Sequence, residues 1–213
     1  MKKARRKKRR RRQKKVVKRN RPERRTVAFI IVGLGNPGLR YSRNRHNVGF
    51  MAVEKVAEKI GIEISKNDFR GSCGSGFHGD IKLILFKPEN YMNNSGDPVR
   101  GIMNFHNIEK TNLVVVHDEI DLPVGRVQVK LGGGSAGHNG IKSVIESVGS
   151  EFTRIRIGVG KSAIGRETAD HVLENFTEEE FGAIKDSVGK AADAACEIAA
   201  EGVESAMNKY NRD

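Results

Sequence analysis

Residues 27–38 read VAFIIVGLGNPG. Val27 to Val32 form a short unbroken apolar run that stops at Gly33, the pattern of a strand buried on both faces. Further on, Val53, Val56, Ala57 and Ile60 recur at i, i+3, i+4 and i+7, an amphipathic helix that Gly61 ends. The rest of the chain repeats this alternation. Ile81–Phe86 reads as a strand closed by Pro88, and Val99, Ile102 and Met103 share one face of a helix begun near Ser95 and Pro98. Leu113–Val116 is a central strand, and Val127, Val129 and Leu131 alternate with polar residues along a half-exposed one. Ile141, Val144, Ile145 and Val148 again fit a helix. Ile155, Ile157 and Val159 mark a last alternating strand, and Phe181, Ile184, Val188, Ala191, Ala195 and Ile198 stripe a long final helix. Strands interleaved with helices predict a single α/β domain over 26–213, with a central twisted mixed sheet covered by helices on both faces.

Charge divides the chain in two. Residues 1–25 hold 17 of the 39 basic residues and one acid, Glu23, whereas the other 188 residues hold 22 basic and 25 acidic groups, a net of −3. The overall +13 therefore belongs to the tail. With almost nothing apolar and with blocks such as Arg9–Arg12, residues 1–25 are expected to be a disordered basic tail. It suits contact with RNA or the ribosome, or simple solvation. No run approaches the roughly 18 apolar residues of a membrane span, and no apolar segment follows the basic stretch as in a secretory signal. Cys73 and Cys196 lack metal-ligand spacing. A reduced cytoplasmic setting is expected, although an Arg-rich, acid-poor N-terminus is also the composition of organelle-targeting segments.

In α/β sheets ligands gather at the carboxyl ends of strands, so the segments after the apolar runs carry the chemistry. Gly33, Gly35 and Gly38 formally satisfy GxGxxG. However, Pro37 lies in the loop, a polar stretch from Arg40 to Arg45 delays the helix, and no second strand ends in an acid about 20 residues on. What this loop offers instead is Asn36 on a tight turn and His46-Asn47 near a helix start. Met92-Asn93-Asn94-Ser95 precedes the next helix; one of these residues would suffice as a cap, which leaves spare amides. His117, Asp118, Glu119 and Asp121 follow the central strand with no helix after them to cap. Gly133-Gly134-Ser135-Ala136-Gly137 matches the GxSxG of a serine elbow, but no later acid and histidine complete a triad. His46, His117, Asp118 and His138 could be drawn as a metal site, yet no pair has helical HxxxH or HExxH spacing. No metal and no cofactor are expected.

Four stretches, VGLGNPGLRYSRNRHNVGF (32–50), KPENYMNNSG (87–96), VVVHDEIDLPVGRVQVKLGGGSAGHNGIKSV (114–144) and FTRIRIGVGK (152–161), together resemble bacterial-type peptidyl-tRNA hydrolases in order and approximate spacing. The resemblance covers residues 27 to about 160 strongly, the C-terminal helices weakly and the tail not at all. It implies hydrolysis of the ester between a peptide and the 3′-terminal ribose of tRNA by an activated water. His46 aligns with the family's catalytic histidine, and Asp118 with the carboxylate that holds its imidazole. An ester needs a base that titrates near neutrality and neutral donors for the oxyanion, roles that histidine and asparagine amides suit. By the same resemblance Asn36, Tyr41, Met92, Asn93 and Asn139 bind substrate. Lys130 and Arg156, each facing opposite to the Val/Ile positions of its strand, would clamp the 5′-phosphate of the tRNA. Ser135 stands where the family often has histidine, and Gln128 where it often has lysine. Peptidyl-tRNA is thus the expected partner of a monomeric enzyme. The alternative is a non-catalytic, splicing-factor-like RNA-binding protein on the same scaffold.

Overall fold

The computed structural model describes residues 27–161 and 168–212, so the basic tail lies outside the described residues. Seven strands are present among them: β1 Ala28–Gly33, β2 Lys66–Asp68, β3 Gly71–His78, β4 Ile81–Pro88, β5 Leu113–Glu119, β6 Val127–Leu131 and β7 Thr153–Gly158. Six helices accompany them: α1 Val48–Ile60, α2 Gly96–His106, α3 Asn139–Val148, α4 Thr168–Leu173, α5 Glu178–Glu201 and α6 Val203–Tyr210. The strands make one mixed sheet in the order β2-β3-β4-β1-β5-β7-β6. Its four inner strands run parallel, and β2, β3 and β6 add antiparallel edges.

Because side chains alternate along a strand, the buried strands feed two cores. Ile31, Val114, Val116, Ile155 and Ile157 face α1, α5 and α6. Ile30, Val32, Ile84, Phe86 and Val115 face α2 and α3. The chain leaves β1 toward β4 and leaves β5 toward β6 and β7, so the connections diverge between the neighbours β1 and β5. A crevice opens at such a switch point, above the carboxyl ends of the strands.

Gly33 and Gly35 of the GxGxxG match serve packing, whereas Gly38, with a φ of 106°, serves the turn. A Cβ at Gly33 would lie 2.1 Å from the Gly49 carbonyl oxygen, and one at Gly49 would lie 2.4 Å from that of Val116. Helix α1 is thereby pressed against β1 and β5, and its first turn, with His46 just before it, is held at the crevice.

Several expectations need correction. β5 continues through His117, Asp118 and Glu119, so these residues close a wholly buried strand rather than follow one. Arg156 lies on an interior strand, since β7 is flanked by β5 and β6. No member of the Met92–Ser95 cluster caps α2 with its side chain: Ser95 Oγ donates back to the Met92 carbonyl at 2.9 Å, and the Gly96 amide donates to Ser143 Oγ at 3.0 Å. The stripe from Phe181 to Ile198 lies wholly within α5, but α5 is not the last helix: α6 follows it after Gly202, whose φ is 92°. The hairpin β2–β3 was not anticipated. No helix among the described residues is long and apolar enough to cross a membrane.

Candidate active site

His46 precedes α1 in a short 3-10 turn, Arg45–Asn47, and Asp118 is the penultimate residue of β5. They are 72 positions apart, yet Asp118 Oδ1 lies 2.8 Å from His46 Nδ1. Asp118 is 2% exposed. Burial alone would raise its carboxyl group, but the charges and hydrogen bonds of His46 and His138 outweigh that and hold it well below the usual carboxylate range. An ionised carboxylate only accepts, so His46 carries its proton on Nδ1 and donates it. Nε2, which makes no hydrogen bond among the described residues, is left with its lone pair.

His138 completes this network and was not singled out as a site residue by the sequence. It is the N-cap of α3: its Nδ1 accepts the amides of Gly140 (3.1 Å) and Ile141 (3.3 Å). The proton must therefore be on Nε2, which donates to Asp118 Oδ1 at 3.0 Å. The sequence marked it only as a member of a metal set without the right spacing and as a polar residue just before a helical repeat, where caps belong. Behind it, His117 Nδ1–H donates to the Asp118 backbone carbonyl at 2.6 Å, and its Nε2 is buried without a partner among the described residues. Burial, then the neighbouring His138, push His117 well below the ordinary histidine value, so it is neutral. His46, Asp118 and His138 are also the one group of three close enough to suggest a metal site among the described residues. The atoms they turn toward one another are already joined by the hydrogen bonds through Asp118 Oδ1.

Asn36 is oriented with equal care. Asn47 pairs with both ends of its peptide unit: Asn36 N–H donates to Asn47 Oδ1 at 2.9 Å, and Asn47 Nδ2 donates to the Asn36 carbonyl at 3.0 Å. Asn36 Oδ1 then accepts the Met92 amide at 2.9 Å, which leaves Nδ2 as the unused donor. Met92 is buried, and its sulfur lies against Gly140, where a Cβ would come within 2.4 Å. Asn93 and Asn139 are exposed. The cleft beside the His46–Asp118 pair has a volume of about 350 Å³, with Glu119, Ser135, His138 and Asn139 in its wall and Ala169 and Val172 of α4 across from them. No hydrogen bond joins Ser135 Oγ to a histidine among the described residues, so the serine elbow has no base.

The loop bearing His46 is tied to the far end of the chain. Arg45 N–H donates to the Glu174 carbonyl, Phe176 N–H to the Arg43 carbonyl, and Asn44 Nδ2 to the Leu173 carbonyl. Arg45, buried over the Phe176 ring, donates from Nη2 to Glu180 Oε2 at 2.8 Å.

A family model described as peptidyl-tRNA hydrolase matches residues 30–213. The chain belongs to the peptidyl-tRNA hydrolase family. A peptidyl-tRNA hydrolase of Clostridium botulinum (strain Eklund 17B / Type B) is 43% identical over 184 residues, which cover 86% of this chain and 95% of that one. One of Bacillus subtilis (strain 168) is 42% identical over 183 residues, 85% of this chain and 97% of that one. The crystal structure of peptidyl-tRNA hydrolase from Acinetobacter baumannii matches with a TM-score of 0.82 at 34% identity, over 86% and 94% of the two chains.

The remaining residues taken from the peptidyl-tRNA hydrolase pattern are placed unevenly. Lys130 is exposed on β6 and has no ion-pair partner among the described residues. Arg156 is half-buried and already engaged: its Nε and Nη2 donate to Glu119 Oε2 at 2.8 and 2.6 Å, and its Nη1 donates to Gln128 Oε1. It is therefore not the open, solvent-facing cation that strand alternation suggests. Tyr41 carries the Arg40 guanidinium 4.5 Å above its ring and is not part of the cleft wall.

Proposed function

We infer that this chain hydrolyses the ester linking a peptide to the 3′-terminal ribose of tRNA, as its family membership gives, and that His46 activates the water. The observation that carries the residue-level reading is the 2.8 Å contact between His46 and the buried, ionised Asp118 at the switch-point crevice.

In this reading His46 Nε2 takes a proton from a water whose oxygen attacks the ester carbonyl carbon. The tetrahedral oxyanion collapses, the bond to the ribose oxygen breaks, and the imidazolium returns the proton to that oxygen. Free peptide and tRNA leave. Asp118 keeps the imidazole turned and stabilises its charged form. Asn36 Nδ2, Asn93 and Asn139 are suited to the peptide backbone and the oxyanion, because amides bind any peptide regardless of side chain. Met92, buried beside Asn36 and Gly140, is suited as a pliable apolar contact for varied peptides, and Tyr41 belongs to the loop that carries Asn36. Lys130 and Arg156 share one face of the β6–β7 ladder, where Lys130 pairs with Arg154 and Gln128 with Arg156. Two cations on that face suit the 5′-phosphate. The described catalytic groups all come from one chain, so a monomer suffices. Peptidyl-tRNA is a product of translation, which implies a translating compartment, the cytoplasm or an organelle, and the basic tail suits contact with RNA or the ribosome.

The test is release of a labelled N-blocked aminoacyl group from tRNA. His46→Ala should lower the rate by about 10²- to 10⁴-fold. Tight RNA binding with no release by the wild type would favour the non-catalytic alternative.

A further inference from the structure

The cations on the outer face of β6 and β7 differ in what holds them. Arg154 is 3% exposed and donates to the carbonyls of Gly133 and Gly134, which fixes the glycine-rich loop. Lys130 is exposed. Arg156 is half of an ion pair with Glu119, whose side chain is 8% exposed against 18% for the arginine. Glu119 is itself fixed, since its Oε1 accepts the Asp121 amide at 3.1 Å. Of the five N–H groups of a guanidinium, three of Arg156's are engaged by Glu119 and Gln128 and two are left for a ligand.

We propose that Glu119 sets the affinity of the phosphate site for tRNA: by pairing with Arg156 it withholds one unit of positive charge from the RNA. This rests on the reading of Lys130 and Arg156 as the 5′-phosphate site. A phosphate on the two remaining N–H groups stands near the Glu119 carboxylate as well as the guanidinium, and the like charges repel across a half-buried, weakly screened space. The Arg156–Glu119 pair then adds no net charge to the site, which is left with the exposed charge of Lys130 and that of the buried Arg154 beside it. Such restraint suits an enzyme whose product, free tRNA, carries the same 5′-phosphate as its substrate and must leave. Residues 26–213 carry a net charge of −3, so their overall balance adds no further attraction for RNA.

The experiment measures binding of uncharged tRNA, with and without its 5′-phosphate, to the full chain over a range of salt concentrations. Glu119→Gln removes the charge and keeps an acceptor for Arg156. It should bind the 5′-phosphorylated tRNA several-fold more tightly, steepen the log–log salt slope by about one, and leave the dephosphorylated tRNA near its wild-type affinity. Gln128→Glu adds a second carboxylate to Arg156 and should do the reverse, so one variant's failure to fold leaves the other to decide. Weaker or unchanged binding by a folded Glu119→Gln, or unchanged binding by a folded Gln128→Glu, overturns the proposal. Arg156→Gln separates this from the reading beneath it. If that variant binds both tRNAs like the wild type, the phosphate site is misassigned and the role of Glu119 falls with it.

Discussion

His138 donates from Nε2 to the same Asp118 oxygen that accepts from His46, and the two rings stand 4.9 Å apart. Asp118 is thus held from two sides, by the middle residue of the turn that precedes α1 and by the cap of α3. His138 is a positioning residue in this arrangement. His138→Asn keeps a good helix cap but cannot reach Asp118 in the same way, so kcat should fall by about 10- to 100-fold, in line with loss of an outer orienting contact. KM should move much less. Equal losses in kcat and 1/KM, with a lowered melting temperature, would mean that His138 only caps its helix.

Asp118→Asn replaces an obligate acceptor by a group that can also donate, and so permits the wrong imidazole tautomer. The expected loss in kcat is about 10³- to 10⁴-fold with an intact fold. Steady-state kinetics beside circular dichroism decide it, and a near-normal rate in a folded variant would show that His46 works without its carboxylate.

Acid should weaken the fold in two separate stages. His117 is buried and neutral, with its folded value depressed, so the unfolded chain takes up a proton that the folded chain refuses. Stability is therefore lost as pH falls below about 6.5, at up to about 1.4 kcal/mol per pH unit. Asp118, also depressed, is ionised in both states in that window; its contribution is present above about pH 4 and lost below it. Melting temperatures from pH 7.5 to 5 should fall less steeply for His117→Asn, and parallel curves would remove His117 as the cause.

Ser135 lines the cleft without a base, so Ser135→Ala should retain activity within a few-fold of the wild type. Abolished release would revive a covalent serine mechanism.

Gly33→Ala forces a methyl group into the Gly49 backbone. Overpacking there should cost about 3 kcal/mol or more and lower activity through the displaced first turn of α1. Denaturant titration checks the first part; an unchanged midpoint would mean the helix can retreat freely.

The apolar runs at β1, β4 and β5 and the helical repeats of α1, α2 and α3 were legible because each carries an unmixed period. The hairpin β2–β3 was not, since Gly71, Gly74 and Gly76 interrupt any alternation, two of them where Ile62 and Glu63 crowd the backbone. His46 and Asp118 were singled out by motif, but spacing could not reveal that they touch. The pairing of Glu119 with Arg156 depends on the register of β5 against β7, where His117 faces Arg156. No local pattern encodes that register. The tautomer of His138 likewise follows from a helix start and an acid 20 positions upstream, joined only by the fold.

The backbone clasp between residues 43–45 and 173–176 has a temporal meaning. A chain still emerging from the ribosome possesses the histidine, the acid and the asparagines long before it possesses the strap that fastens the loop between them. On the proposed reading competence arrives late in synthesis, after most of the protein has already been made, and a chain cut short before that strap is expected to carry the proposed catalytic groups without activity.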